Sequence, residues 1–146
     1  MIRPARSDEL DAVRELFREY REFVGSPICF ESFEREIASL PGEYICLLVA
    51  EESGHLAGCA ALRNIGEGVA EMKRLYVRPA FQGRGLGRLL AERIVHEGRV
   101  RGYQLLRLDT LPVMGSALAL YRSLGFRETP PYGGNPPEAV CFELPL

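Results

Sequence analysis

Apolar positions follow two different periods along this chain, and the switch between them defines the predicted elements. Leu10, Val13, Phe17, Tyr20 and Val24 recur at three- and four-residue spacing, the stripe of an amphipathic helix. Ser7 stands where an N-cap would, with Asp8 and Glu9 in the first turn. Gly25-Ser26-Pro27 ends that helix, and Phe30–Leu40 carries a second, shorter one closed by Pro41-Gly42. The pattern then becomes strand-like. Tyr44–Ala50 and His55–Leu62 are joined by Ser53-Gly54, Asn64–Gly68 reads as the next turn, and Val69–Val77 is a third strand stopped by Pro79. Met1–Arg6 adds a short edge strand.

Past Pro79 the helical period returns. Leu86, Leu89, Leu90 and Ile94 form one stripe, Leu105–Asp109 a short strand, and Val113, Ala117, Leu120 and Leu124 another stripe, with Gly125 as its C′ residue. Phe126–Thr129 and Val140–Leu144 read as a closing strand pair around a Pro/Gly-rich loop. A meander followed by alternating helices and strands predicts an α/β (α+β) fold on a mixed sheet.

Composition narrows this to one domain over residues 1–146, 47% apolar and with no repeat or linker. The longest apolar run, Ile45–Ala50, is too short for a membrane span, and Met1–Leu10 is too polar for an export signal, so a cytoplasmic location is expected. Cys29, Cys46, Cys59 and Cys141 are far apart and without a CxxC pair, and the histidines are His55 and His96 alone. No metal is expected, and Cys46 and Cys59, in apolar runs, read as buried free thiols. A net charge of −2 argues against a nucleic-acid partner. The total hides a split. Residues 1–70 hold 7 basic and 13 acidic side chains, whereas Glu71–Arg107 holds 9 basic and 3 acidic. Lys73 is the single lysine.

The chemistry concentrates at Gln82-Gly83-Arg84-Gly85-Leu86-Gly87-Arg88, between a strand end and a helix start. Glycines there let the backbone take positive φ and approach a ligand, and free N–H groups at a helix N-terminus favour an anion such as a diphosphate. Arg84 and Arg88 can add charge-assisted bonds. A tight turn used only for packing would show the same glycines. Neither a P-loop nor the dinucleotide GxGxxG is present.

Gln82-x-x-Gly85-x-Gly87 resembles the acetyl-CoA signature of the GCN5-related N-acetyltransferases (GNAT). It follows the strand Glu71–Pro79 and precedes Ala117-x-x-x-Tyr121-x-x-x-Gly125-Phe126, similar to a second family segment. The resemblance covers nearly the whole chain. It implies the acyl-CoA N-acyltransferase fold: a mostly antiparallel mixed sheet with a central V-shaped splay, flanked by about four helices. It also implies direct transfer of acetyl from acetyl-CoA to an amine of a small molecule or peptide, with no acyl-enzyme, no metal and no membrane partner. Dimers are common among such proteins.

By resemblance, the pantetheine would pair with backbone of Leu75, Tyr76 and Val77, and the Leu75 N–H would stabilise the oxyanion. The diphosphate would meet Gln82, Gly83, Arg84, Gly85, Leu86, Gly87 and Arg88, with Ala117 and Tyr121 lining the cofactor. Tyr121 matches the tyrosine that protonates the departing thiolate. Glu71, on one strand face with Lys73, Leu75 and Val77, stands where some relatives hold a general base. Met114 replaces an Asn that many relatives carry, with Asp109 and Thr110 upstream as partial substitutes. The acceptor would meet Tyr20, Phe30, Glu34, Tyr132 and Asn135, where an acidic first half would favour a cation. A CoA-binding sensor without turnover, or a nucleotide binder using the same turn, would share the glycine motif but would not require Tyr121 or Glu71.

Overall fold

The computed structural model describes residues 1–25, 32–112 and 114–146. Seven strands form one sheet in the order β1-β2-β3-β4-β5-β7-β6. They are β1 (Ile2–Pro4), β2 (Tyr44–Glu52), β3 (His55–Gly66), β4 (Val69–Val77), β5 (Leu105–Thr110), β6 (Arg127–Thr129) and β7 (Val140–Pro145). Every described pairing is antiparallel except β4–β5. The helices are α1 (Leu10–Val24), α2 (Phe33–Ala38), α3 (Leu86–Val100) and α4 (Gly115–Ser123).

The sheet divides two cores. On one face, Leu48, Leu62 and Met72 pack with Leu90 and Ile94 of α3 and with Leu106, Phe126 and Phe142. On the other, Val13, Leu16 and Phe17 of α1 and Phe33 and Ile37 of α2 pack on Leu47, Val49, Ala61 and Tyr76. Leu16 and Phe17 are wholly buried, each worth about 1.5–3 kcal/mol.

Three expectations shift. Ser7 does not cap α1: a 3-10 turn, Ser7–Glu9, precedes the helix, and the Glu9 carboxylate accepts the Arg6 N–H (2.8 Å). The second helix is shorter than its pattern, and Phe30 and Cys29 lie outside the described residues. β3 runs on to Gly66, where a turn was expected from Asn64. Asn64 pairs with Ala70 and its side chain accepts the Gly66 N–H (2.8 Å), so the reversal falls at Glu67 and Gly68, both at positive φ.

β4 and β5 are bonded only at Val69–Leu105, Ala70–Leu106 and Glu71–Arg107. Beyond Glu71, β5 stays in register with β7 while β4 stays with β3. This is the V-shaped splay.

Candidate active site

A bulge in β4 sets the chemistry of the fork. Ala61 pairs with Lys73 and Cys59 with Tyr76, so β4 carries extra chain at that point, and Arg74 takes φ +60. Before the bulge, Ala70 and Met72 face the α3 core; after it, Leu75 and Val77 do. Glu71 shares its face with Arg63, on the side of α1 and α2. Glu71 and Leu75 therefore lie on opposite faces, which corrects the reading that put residues 71, 73, 75 and 77 together. One inserted residue inverts the alternation.

The glycine turn lies against the open edge of β4. A cleft of about 380 Å³ is lined by Leu75, Tyr76, Val77, Gln82, Gly83, Gly85, Leu86, Gly87, Met114 and Ala117, among others. Gly83 (φ +81) and Gly85 (φ +79) hold left-handed backbone that other residues resist, and Gly85 is the residue before α3. The donors of the α3 N-terminus thus border the cleft, as an anionic diphosphate requires. Arg84 and Arg88 stand off it. Arg84 pairs with Glu52 (2.9 Å) over the Phe81 ring, and Arg88 donates to Ser123. Both belong to the turn, but neither side chain lines the cleft.

A second, deeper cavity opens beside the first. It is small, about 20 Å³, and is lined by Tyr20, Lys73, Arg74, Leu75, Asp109, Thr110, Met114 and Tyr121. Leu75 and Met114 border both spaces. Met114 fills the expected Asn position with an apolar wall, and Thr110 donates to its sulfur (3.7 Å). Tyr121 is 5% exposed, its ring against Phe126 and Phe142. Its hydroxyl bonds no other described residue. Burial, with smaller contributions from Tyr20 and Asp109, raises its pKa well above the usual phenol value.

Glu71 is sealed. It is 1% exposed, ion-paired to Arg63 (2.7 Å), and accepts the Tyr132 hydroxyl (2.6 Å). Burial, then Glu71, pushes that phenol's pKa up. Asp109 on β5 lines the cavity, and Glu71 does not. Asn135 donates to the Asp109 Oδ2 (2.9 Å), and Lys73 faces Oδ1 at 3.5 Å. Tyr132 and Asn135, expected as acceptor contacts, instead hold these two carboxylates, and the Tyr132 N–H bonds the Asn135 side chain (2.6 Å). The loop between β6 and β7 is thereby tied across the fork. Of the other residues expected to meet the acceptor, Tyr20 lines the cavity, whereas Glu34 is exposed and paired with Arg21 (2.6 Å). Asp109 had a sequence signal, a lone acid near a strand end, but its placement inside the fork needs the splay, which lies beyond any local pattern.

The charge split resolves into ion pairs between the halves. Arg74 grips Glu36 through Nε and Nη2 (3.0 and 2.7 Å), Arg78 grips Glu19 (3.0 and 2.9 Å), and Arg84 meets Glu52. Burial opposes the charge on Arg74, but the Glu36 hydrogen bonds prevail and raise its pKa. The acidic first half therefore does not present free carboxylates to a cationic acceptor at these positions.

Cys46, Cys59 and Cys141 are buried free thiols. Among the described residues no group of three or more His, Cys, Asp or Glu could hold a metal ion. No described helix is long and apolar enough to cross a membrane.

Known proteins share this arrangement. The family model for the acetyltransferase (GNAT) family matches residues 10–126. An uncharacterized N-acetyltransferase of Schizosaccharomyces pombe is 37% identical over 145 residues, covering 94% of this chain and 89% of its own. An IAA acetyltransferase of Azospirillum brasilense is 36% identical over 140 residues, covering 93% and 92%. Among solved structures, a putative acetyltransferase from Salmonella typhimurium with its cofactor acetyl-CoA superimposes with a TM-score of 0.76 at 25% identity, over 99% of this chain and 92% of that one. The chain belongs to the GNAT acetyltransferase family. It is an acyltransferase that uses acetyl-CoA.

Proposed function

We propose that the enzyme transfers acetyl directly from acetyl-CoA to a primary amine held in the deep cavity, with Tyr121 as acid and Asp109 as base. The single observation that carries this reading is that Leu75 and Met114 line both the cleft at the glycine turn and a cavity lined by Tyr121 and Asp109. A thioester lying along β4 would point its carbonyl toward the Leu75 N–H. That donor, on a strand stretch with no β5 partner, stabilises the developing oxyanion by about 3 kcal/mol. The acceptor's ammonium first gives one proton to Asp109, which frees the lone pair that attacks the carbonyl carbon. The tetrahedral intermediate then breaks its C–S bond, the thiolate takes the Tyr121 proton, and the second proton lost by the nitrogen restores the phenol. No cysteine of the described chain serves as a nucleophile in this route: Cys59 is fully buried and its thiol is pushed up to about 12 by burial.

Glu71 is better suited to structure than to proton transfer, because Arg63 and Tyr132 occupy its oxygens and it faces away from Leu75. The test is CoA-thiol release with acetyl-CoA and a panel of primary amines. Asp109→Asn should lower kcat at least a hundredfold in a folded protein. Wild-type turnover in that variant would remove Asp109 from the mechanism.

A further inference from the structure

Among the charged groups around the acceptor cavity, Lys73 is the least satisfied. Arg74 is committed to Glu36, and Arg63 to Glu43 and Glu71. Lys73 is only 17% exposed at its side chain, yet its one ion pair among the described residues is a 3.5 Å contact to Asp109, longer than a good charge-assisted bond. An ammonium so far removed from water is costly unless an anion completes its shell. Asp109 mirrors it, with Oδ2 bonded by Asn135 and Oδ1 toward Lys73. Both line the deep cavity and also a neighbouring one of about 90 Å³, whose walls include Val24, Leu111, Met114, Pro136 and Ala139.

We infer that the acceptor is a small apolar α-amino acid with a free carboxylate, its ammonium on Asp109 and its carboxylate on Lys73. The inference rests on the transfer reading above. An α-ammonium nitrogen and its own carboxylate oxygens are separated by three covalent bonds, roughly 3 Å. That spacing matches the 3.5 Å between Lys73 Nζ and Asp109 Oδ1, so the zwitterion lies head to tail on the pair. The amine is then held by the group that accepts its proton. The side chain meets the apolar wall of the neighbouring cavity. An amine or an internal peptide N-terminus lacking the adjacent carboxylate leaves Lys73 as it is, and gains only half of the match.

The experiment compares alanine, valine and leucine with their amides and with the corresponding decarboxylated amines, as acceptors for acetyl-CoA. The amino acids should exceed both analogues at least a hundredfold in kcat/KM. Lys73→Met should raise KM for the amino acids at least thirtyfold more than it raises KM for the amides. Lys73→Arg should recover part of the loss. Amides as good as the acids, or a Lys73→Met effect equal on both, overturns the inference while leaving acetyl transfer intact. Calorimetric titration of leucine and leucinamide into the CoA-loaded protein reads the same preference without turnover. Binding of leucine but not of leucinamide supports it, and binding of neither amino acid nor amide overturns it. CoA binding with no acetylation of any amine would instead sink the transfer reading.

Discussion

Replacing Tyr121 by Phe separates chemistry from packing in this protein. The ring would keep its contacts with Phe126 and Phe142, at centroid separations of 5.8 and 6.0 Å. The hydroxyl bonds no other described residue, so its loss breaks no hydrogen bond there. The expected stability change is within about 0.5 kcal/mol, a melting shift below ~2 °C for a chain of this size. The kinetic effect should be far larger. A positioned acid contributes about a hundred- to ten-thousandfold, or roughly 2.7–5.4 kcal/mol at 1.36 kcal/mol per decade. Burial raises the phenol's pKa, so the proton stays on Tyr121 throughout the neutral and mildly alkaline range, and kcat should show no falling limb from this group up to pH 9. The same dry surroundings raise the basicity of a thiolate expelled into them, which keeps the transfer matched. The assay is thiol release under saturating acetyl-CoA, paired with a thermal melt. Retention of kcat within threefold would refute the acid role. A melting loss above ~5 °C would instead show that the hydroxyl is structural.

Three further outcomes follow from geometry. Gly58 faces Val77 across β3–β4, and a Cβ there would press into the Tyr76 carbonyl, so Gly58→Ala should cost about 1–3 kcal/mol and weaken CoA binding; calorimetry and a melt check both, and a wild-type melt contradicts the clash. Glu71→Gln should lower stability by about 1–3 kcal/mol through the lost Arg63 pair yet keep kcat within tenfold, whereas a hundredfold kcat loss in the folded variant would return the base role to Glu71. The Arg3 hydrogen bonds hold Glu9 down to about 2, against 4.5 ordinarily, so its contribution to stability is full above pH ~4.5 and is lost as pH falls toward 2. Denaturant titrations of wild type and Glu9→Gln should converge at the acid end, and parallel curves would refute this.

The order of the elements was legible because each stripe is read from neighbours in sequence. Val69–Val77 matches β4 at both ends, since Pro79 and the Glu67-Gly68 reversal bracket it. The glycine turn was legible for the same reason. The faces of β4 were not: the family resemblance implies a bulge in this strand, but alternation assumes a regular one and nothing in Lys73-Arg74-Leu75 says where the extra residue falls; Arg74, at φ +60, is not a residue that favours positive φ. Asp109 and Lys73 meet only across the fork, and the partners of Arg74 and Arg78 come from helices tens of residues away. Tyr132 and Asn135 read from sequence as acceptor contacts of the late loop, but the partners they bond are carboxylates that tertiary pairing brings to them.

The bulge at Arg74 makes the active centre depend on the parity of a strand. β3 and β4 stay bonded on both sides of it, so the sheet tolerates the added residue with little disturbance elsewhere. Yet that residue decides whether Leu75 and Val77 look toward the glycine turn or toward α1. A strand of even and odd positions thus acts as a counter: side-chain identity sets what each position can do, while the number of residues before it sets which compartment it does it in.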